Sequence, residues 1–227
     1  MKILVSGSLA FDSILDFNDH FKNHILPDTI HNINVSFLVE NLRVNFGGNA
    51  GNIAYNLALM EELPIILSTA GNDFYKYKKK LIENKVDTSN IKVISNINTA
   101  FAHIVTDLGD NQITAFYPGA MKYSFGEIKK TFLNNKNIAI IAPGNKDDMV
   151  KLSKMYTKNK VPYIFDPGQQ ITAFSGDELK RMIINGASPL VMRDYAIDKL
   201  GLTTLRRGGI LKVLKGDTSV EEIAKNT

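Results

Sequence analysis

Short apolar runs alternate with amphipathic stretches along the 227-residue chain, and most are closed by glycine, proline or asparagine. Residues 2–6 (KILVS) predict a buried first strand stopped by Gly7, leaving Asp12 just past its end. Residues 31–46 alternate in part and predict one or two exposed strands. The string Gly47-Gly48-Asn49-Ala50-Gly51-Asn52 then leads into IAYNLALM, where Ile53, Asn56, Leu57 and Met60 recur at helical spacing, so a glycine turn opens a helix. A core strand over 64–70 and a helix over 74–84 follow. Strands over 99–106 and 112–117 flank the turn sequence 107–111 and predict a β-hairpin. Short apolar strands over 138–142 and 161–165 enclose a crossover helix over 147–159.

Strands that alternate with helices imply parallel βαβ units, hence an α/β sandwich. The hairpin strands do not suit a sheet covered on both faces and read instead as a small β-flap. Three S-x-x-E strings (Ser124–Glu127, Ser175–Glu178, Ser219–Glu222) match the capping box that satisfies backbone N–H groups at a helix start. The character changes near Ala187-Ser188-Pro189. Beyond it lie two short amphipathic segments and no strand.

Composition narrows the classes. The absence of cysteine excludes a disulfide scaffold and a thiolate zinc site. A net charge of +4, from 27 basic and 23 acidic residues, is too small and dispersed to argue for nucleic-acid binding. Lys76, Lys78, Lys79 and Lys80 read as a solvated helix face. No window approaches the roughly 18 apolar residues of a membrane span, and no secretory signal precedes the first strand, so a cytoplasmic protein is expected.

The glycine cluster is the sharpest candidate for chemistry. Gly47, Gly48 and Gly51 let backbone approach a ligand, while Asn49 and Asn52 bring amides suited to hydroxyl groups. A tight turn without a ligand explains the same string. No Lys-Ser/Thr pair makes it a Walker loop, and it is not G-x-G-x-x-G. Asp12 lies where α/β sheets place their ligand crevice, although a turn-capping aspartate would sit there too. His20, His24, His31 and His103 show no metal-ligand spacing, so no metal residue is expected.

Taken together, GSLAFD after the opening strand, GGNAGNIAYNLA, AGNDF, TAFAHIVTDLGDNQITAFYPGAM and the strand ending in FDP resemble the ribokinase-like (PfkB) carbohydrate kinase family, in its sugar and adenosine kinase-like branch. The resemblance runs over residues 1–187. It implies a ribokinase-like α/β sandwich, here incomplete, with a small β-sheet lid. It also implies ATP-dependent phosphoryl transfer, with Mg2+, to a hydroxyl of a sugar or nucleoside. By position, Asp12 would bind substrate hydroxyls, Gly47, Gly48 and Asn52 would line the pocket, and Phe101, His103 and Phe116 would lie on the lid. The family's N-x-x-E and G-A-G-D motifs do not occur. No catalytic residue is therefore expected, and the chain is predicted inactive as a kinase.

Residues 188–227 form a short, helical-looking tail in which TLRRGG and KVLKGDTSVEE are similar to the C-terminus of type II secretion and type IV pilus assembly ATPases. That suggests a truncated or chimeric chain. Three readings stay open: a kinase by ancestry, a non-catalytic sugar- or nucleoside-binding remnant, and a secretion-related interaction fragment. A homodimer through the lid is also left open.

Overall fold

The structure is a computed structural model that describes residues 1–184, 210 and 212–215. The chain divides into two compact units, Met1–Gly186 and Ala187–Thr227. In the second unit the described residues are helical; the Ser219–Glu222 string lies outside the described residues.

The first unit contains strands β1 (Ile3–Ser6), β2 (Ala10–Phe17), β3 (Val39–Gly47), β4 (Pro64–Gly71), β5 (Ile91–Ile94), β6 (Ala100–Thr106), β7 (Gln112–Tyr117), β8 (Ile138–Ile141) and β9 (Tyr163–Phe165). Its helices are α1 (Asn49–Leu59), α2 (Tyr75–Glu83), α3 (Lys146–Lys158) and α4 (Gly176–Ile184). Five strands form a parallel sheet in the order β5-β4-β1-β8-β9. Period-two alternation splits its core in two. Leu4, Ile65, Leu67 and Ile141 pack on one face against Met149, Leu152 and Tyr156 of α3. Ile3, Val5 and Ile66 pack on the other against Ala50 and Ala54 of α1 and Tyr77 and Leu81 of α2. This is an α/β sandwich with the four-stranded lid β3-β2-β6-β7 beside it, the architecture that the resemblance implies.

The N-terminal segment departs from expectation. The chain forms a second strand, β2, directly after the first, and that strand belongs to the lid. Asp12 is therefore a strand residue and not a loop residue. Gly7, at φ +150°, turns the chain, and the Ser8 N–H donates to the Pro143 carbonyl at 2.8 Å. β3 begins only at Val39, after a 3-10 turn over Pro27–Asn32 and an irregular stretch over 33–38.

Of the capping boxes, Ser175–Glu178 is reciprocal: Ser175 N–H donates to Glu178 at 2.8 Å, and Glu178 N–H to the Ser175 hydroxyl at 3.2 Å. Ser124–Glu127 opens no α-helix. The Ser124 hydroxyl instead donates to the carboxylate of Asp148 in the first turn of α3. The lysines of α2 are exposed, as a solvated face requires.

AGNDF ties the lid to the parallel sheet. The fully buried Thr99, just before β6, accepts a hydrogen bond from Gly71 N–H at 2.9 Å and donates its hydroxyl to Asp73 at 2.6 Å. A second bond runs from Thr99 N–H to the same Asp73 oxygen at 2.8 Å. At Gly71 a β-carbon would overlap the backbone of Asn98 and Thr99. The glycine and the aspartate of that string are thus needed at the root of the lid.

Candidate functional site

β1 and β8 are neighbours, and the sheet grows away from them in opposite directions, to β4 on one side and β9 on the other. The crevice beyond the carboxyl ends of two such strands is where open α/β sheets take their ligands. Ser8 follows β1, Pro143 follows β8 and Gln169 and Gln170 follow β9. All four line a cavity of about 310 Å³. The lid forms the opposing wall with Ala10 and Asp12 of β2, Ala102 and Ile104 of β6, and Gln112, Thr114 and Phe116 of β7. These share one face because the register pairs Asp12 with Ala102, Ala102 with Phe116 and Ile104 with Thr114. Gly48, Asn49 and Asn52 close the cavity from the start of α1.

Local chemistry explains why the glycine turn sits here. Gly48 has φ +84°, and a β-carbon on it would lie 2.6 Å from the Ser8 carbonyl oxygen and 2.7 Å from the Ala10 nitrogen. The first turn of α1 leans on Ser8: its hydroxyl accepts from Asn49 N–H and its carbonyl from Ala50 N–H, each at 3.0 Å. Two of the donors that a helix start offers to an anion are thereby engaged. Gly47 lies behind the wall, where a β-carbon would run into the Asp12 carboxylate.

Asp12 is partly buried, and that burial raises its carboxyl above the ordinary aspartate value. Asp12 lines the cavity, and no donor among the described residues bonds its carboxylate. Arg43 shares this face of the lid further along β3, and it is paired with Asp16 at 3.1 Å. Among the described residues, the lining contains one carboxylate, five carboxamides (Asn49, Asn52, Gln112, Gln169 and Gln170) and no lysine, arginine or histidine. Such a set accepts and donates hydrogen bonds to hydroxyls and offers nothing to balance a phosphate.

The structure brings Asp12, Gly48, Asn52 and Phe116 together around one cavity, with Gly47 directly behind Asp12. It places Phe101 and His103 on the other face of the lid. Phe101 packs there 6.0 Å from the Phe11 ring, centroid to centroid, and 4.7 Å from that of His103, which is exposed. Ser8, Gln112, Thr114, Gln169 and Gln170 were not singled out from sequence. Gln112 and Thr114 were reachable in principle, since they lie four and two positions before Phe116 on one strand. The two glutamines after FDP carry no local signal beyond their position past a strand end.

The profile of the pfkB family carbohydrate kinases matches residues 17–193. The chain belongs to this family. A nucleoside kinase of Methanocaldococcus jannaschii is 31% identical over 169 residues, which cover 70% of this chain and 55% of the relative. The structure of Burkholderia thailandensis nucleoside kinase in complex with inosine is 33% identical, with a TM-score of 0.67 over 89% of this chain and 65% of that one. A second structure of that kinase is in complex with ADP-inosine. The pfkB-family chain thus spans little more than half the length of the curated nucleoside kinases that it matches. A separate 51-residue match, 43% identical, links 22% of it to 9% of the type IV pilus assembly ATPase PilB of Myxococcus xanthus. No helix among the described residues is long and apolar enough to cross a membrane.

Proposed function

We propose that residues 1–187 form the substrate-binding part of a pfkB-family kinase whose guest is a neutral nucleoside or free sugar, and that residues 188–227 are a tail of separate origin. The observation that carries this reading is the composition of the cavity wall: one carboxylate, five carboxamides and no cation among its described residues. Asp12 accepts two hydroxyls of the guest and Asn52 a further one. Gly48 shapes the floor, Gly47 backs Asp12, and Phe116 offers an apolar ring to the remainder of the guest. Phe101 and His103 act through lid packing and not by contact. The inosine complex of the Burkholderia relative favours a nucleoside over a free sugar.

In kinases of this family, ATP with Mg2+ supplies the phosphoryl group. The residues described do not fit that pair: the cavity wall holds no cation for a triphosphate, and no group of three His, Asp or Glu among the described residues could hold a metal. No transfer step is assigned to them. With N-x-x-E and G-A-G-D missing from the sequence, the 227-residue polypeptide binds its guest without phosphorylating it. Isothermal titration with inosine, adenosine, ribose and ribose 5-phosphate tests the reading, alongside an ATP turnover assay. Binding of a neutral guest that excludes ribose 5-phosphate supports it. Equal binding of the phosphate ester, or turnover by this polypeptide, refutes it.

The lid's other face supports pairing with a second copy. Leu42, Val44, Ile113 and Tyr117 share that face by register and are 64%, 56%, 41% and 45% exposed. An apolar face turned outward, opposite a polar face turned to the cavity, is the pattern of a self-association surface. Val44→Lys should convert a dimer to a monomer in light scattering; a wild-type monomer at micromolar concentration removes this proposal.

A further inference from the structure

Tyr77, on α2, is distant in sequence from every residue of the cavity wall, yet its hydroxyl reaches the glycine turn. The side chain is buried, and the hydroxyl donates to the Gly47 carbonyl at 2.8 Å. Its ring lies face to face with Phe46, with centroids 4.7 Å apart and planes 10° apart, and touches Phe11 at 6.0 Å. Gly51 makes room for it, since a β-carbon there would overlap the Tyr77 oxygen. On its opposite side, Gly47 abuts the Asp12 carboxylate closely enough that a β-carbon would not fit between them. The chain of contact therefore runs from the phenol to the Gly47 peptide to the carboxylate. Two of the three glycines in GGNAG leave the space that this chain of contact occupies.

From this geometry we propose that Tyr77 is a positioning residue: its hydroxyl clamps the Gly47 peptide against Asp12 and fixes the direction in which that carboxylate meets the guest. This rests on the reading of Asp12 as the hydroxyl acceptor. Burial, and then the Asp12 charge, raise the Tyr77 phenol above its ordinary value, so it stays a protonated donor throughout the neutral range. Without the hydroxyl, the ring packing persists. The Gly47 carbonyl loses its partner, and the turn is free to move off the carboxylate and admit water.

Tyr77→Phe tests this with two readouts. The first needs no ligand: the Asp12 titration midpoint, followed by carboxyl-carbon NMR. The raised midpoint should fall toward the ordinary aspartate value in the variant. An unchanged midpoint in a folded variant overturns the proposal. The second is a double-mutant cycle on inosine affinity with Asp12→Asn. Loss of one buried hydrogen bond should weaken binding about tenfold in the wild-type background and hardly at all beside Asp12→Asn. Equal losses in both backgrounds mean that Tyr77 acts on stability alone, and the proposal fails. If Asp12→Asn by itself leaves affinity intact, it is the site reading that fails, and the midpoint still decides on Tyr77. Should Tyr77→Phe not fold, the wild-type protein carries the test: the Gly47 carbonyl-carbon NMR shift should follow the Asp12 titration, and a shift that ignores that titration overturns the proposal.

Discussion

In the parallel sheet, β4 buries all eight of its residues, whereas β7 in the lid leaves all six exposed. β4 draws on β-branched and small residues and β7 on β-branched and aromatic ones, so intrinsic β preference does not explain why β4 is the buried strand. The difference lies in what covers them. α1 and α2 cover one face of the parallel sheet and α3 the other, so alternation disappears from its sequence: PIIL is a continuous apolar run, and Ser68 and Thr69 after it are buried as well. The lid has one face on a solvent-accessible cavity and the other turned away from it, and both remain open on β7. A sheet covered on both faces supplies stability, and the sheet left uncovered is the one to which the proposed function assigns recognition. Residues of the same kind therefore carry different consequences in the two places.

The largest contrast should appear with Leu4→Ala in β1. Leu4 is fully buried in the parallel sheet, so truncation should cost about 3 kcal/mol in urea unfolding, without a specific effect on ligand affinity beyond that of lost fold. A cost below about 1 kcal/mol would mean that the sheet does not carry the stability assigned to it.

Next comes Asp12→Ala in the lid, with the opposite signature. Losing an ionised acceptor should weaken nucleoside binding about thirtyfold. The melting temperature should hold or rise slightly, because burial penalises the ionised side chain that is removed. In the wild type the same burial raises the folded value above the unfolded one. Protonated Asp12 thus favours the folded state at low pH, and that gain is lost as the pH rises through the folded value. Affinity runs the other way, falling on acidification at a pH above that of an ordinary aspartate. Calorimetric titrations across the acid range would show it.

The smallest effect concerns the hairpin turn of the lid. Burial alone would raise the Asp107 carboxyl, but hydrogen bonds from the Phe21 N–H, the Asn111 side chain and the N–H groups of Asn111 and Gly109 outweigh it and hold it at about 2. A depressed value stabilises the fold above the unfolded aspartate value, and that contribution fades as pH falls from about 4 toward 2. Thermal melts of the wild type should show a decline in that window, and Asp107→Asn should flatten it. A variant that declines as steeply as the wild type would place the acid sensitivity elsewhere.

Several features were legible because they are local. The apolar runs, the Gly47–Asn52 turn into a helix, the β6–β7 hairpin and the Ser175–Glu178 box each encode their conformation in neighbouring residues, and the family motifs follow from those same strings. Asp12, Gly48, Asn52 and Phe116 could be chosen in advance because motif order fixes their place in the fold. Phe101 and His103 could be placed on a lid strand, but not on a face of it. A strand shows its two faces equally until a partner's register decides between them, and here the β2–β6 pairing put Ala102, not Phe101 or His103, beside Asp12. Ser124-Phe-Gly-Glu127 matched a cap pattern and capped no α-helix, because the buried Asp148 took the serine hydroxyl.

The sequence by itself determined most of the apolar runs, the glycine turn, the lid hairpin and the family motifs, since each depends on residues close together in the chain, but it did not reveal β2. Only the tertiary structure decided which side of the lid is polar, that Gln169 and Gln170 join Asp12 at one cavity, and that Tyr77 of α2 reaches Gly47 at the end of β3. These depend on register and on packing between distant segments, and no local pattern encodes how two surfaces meet.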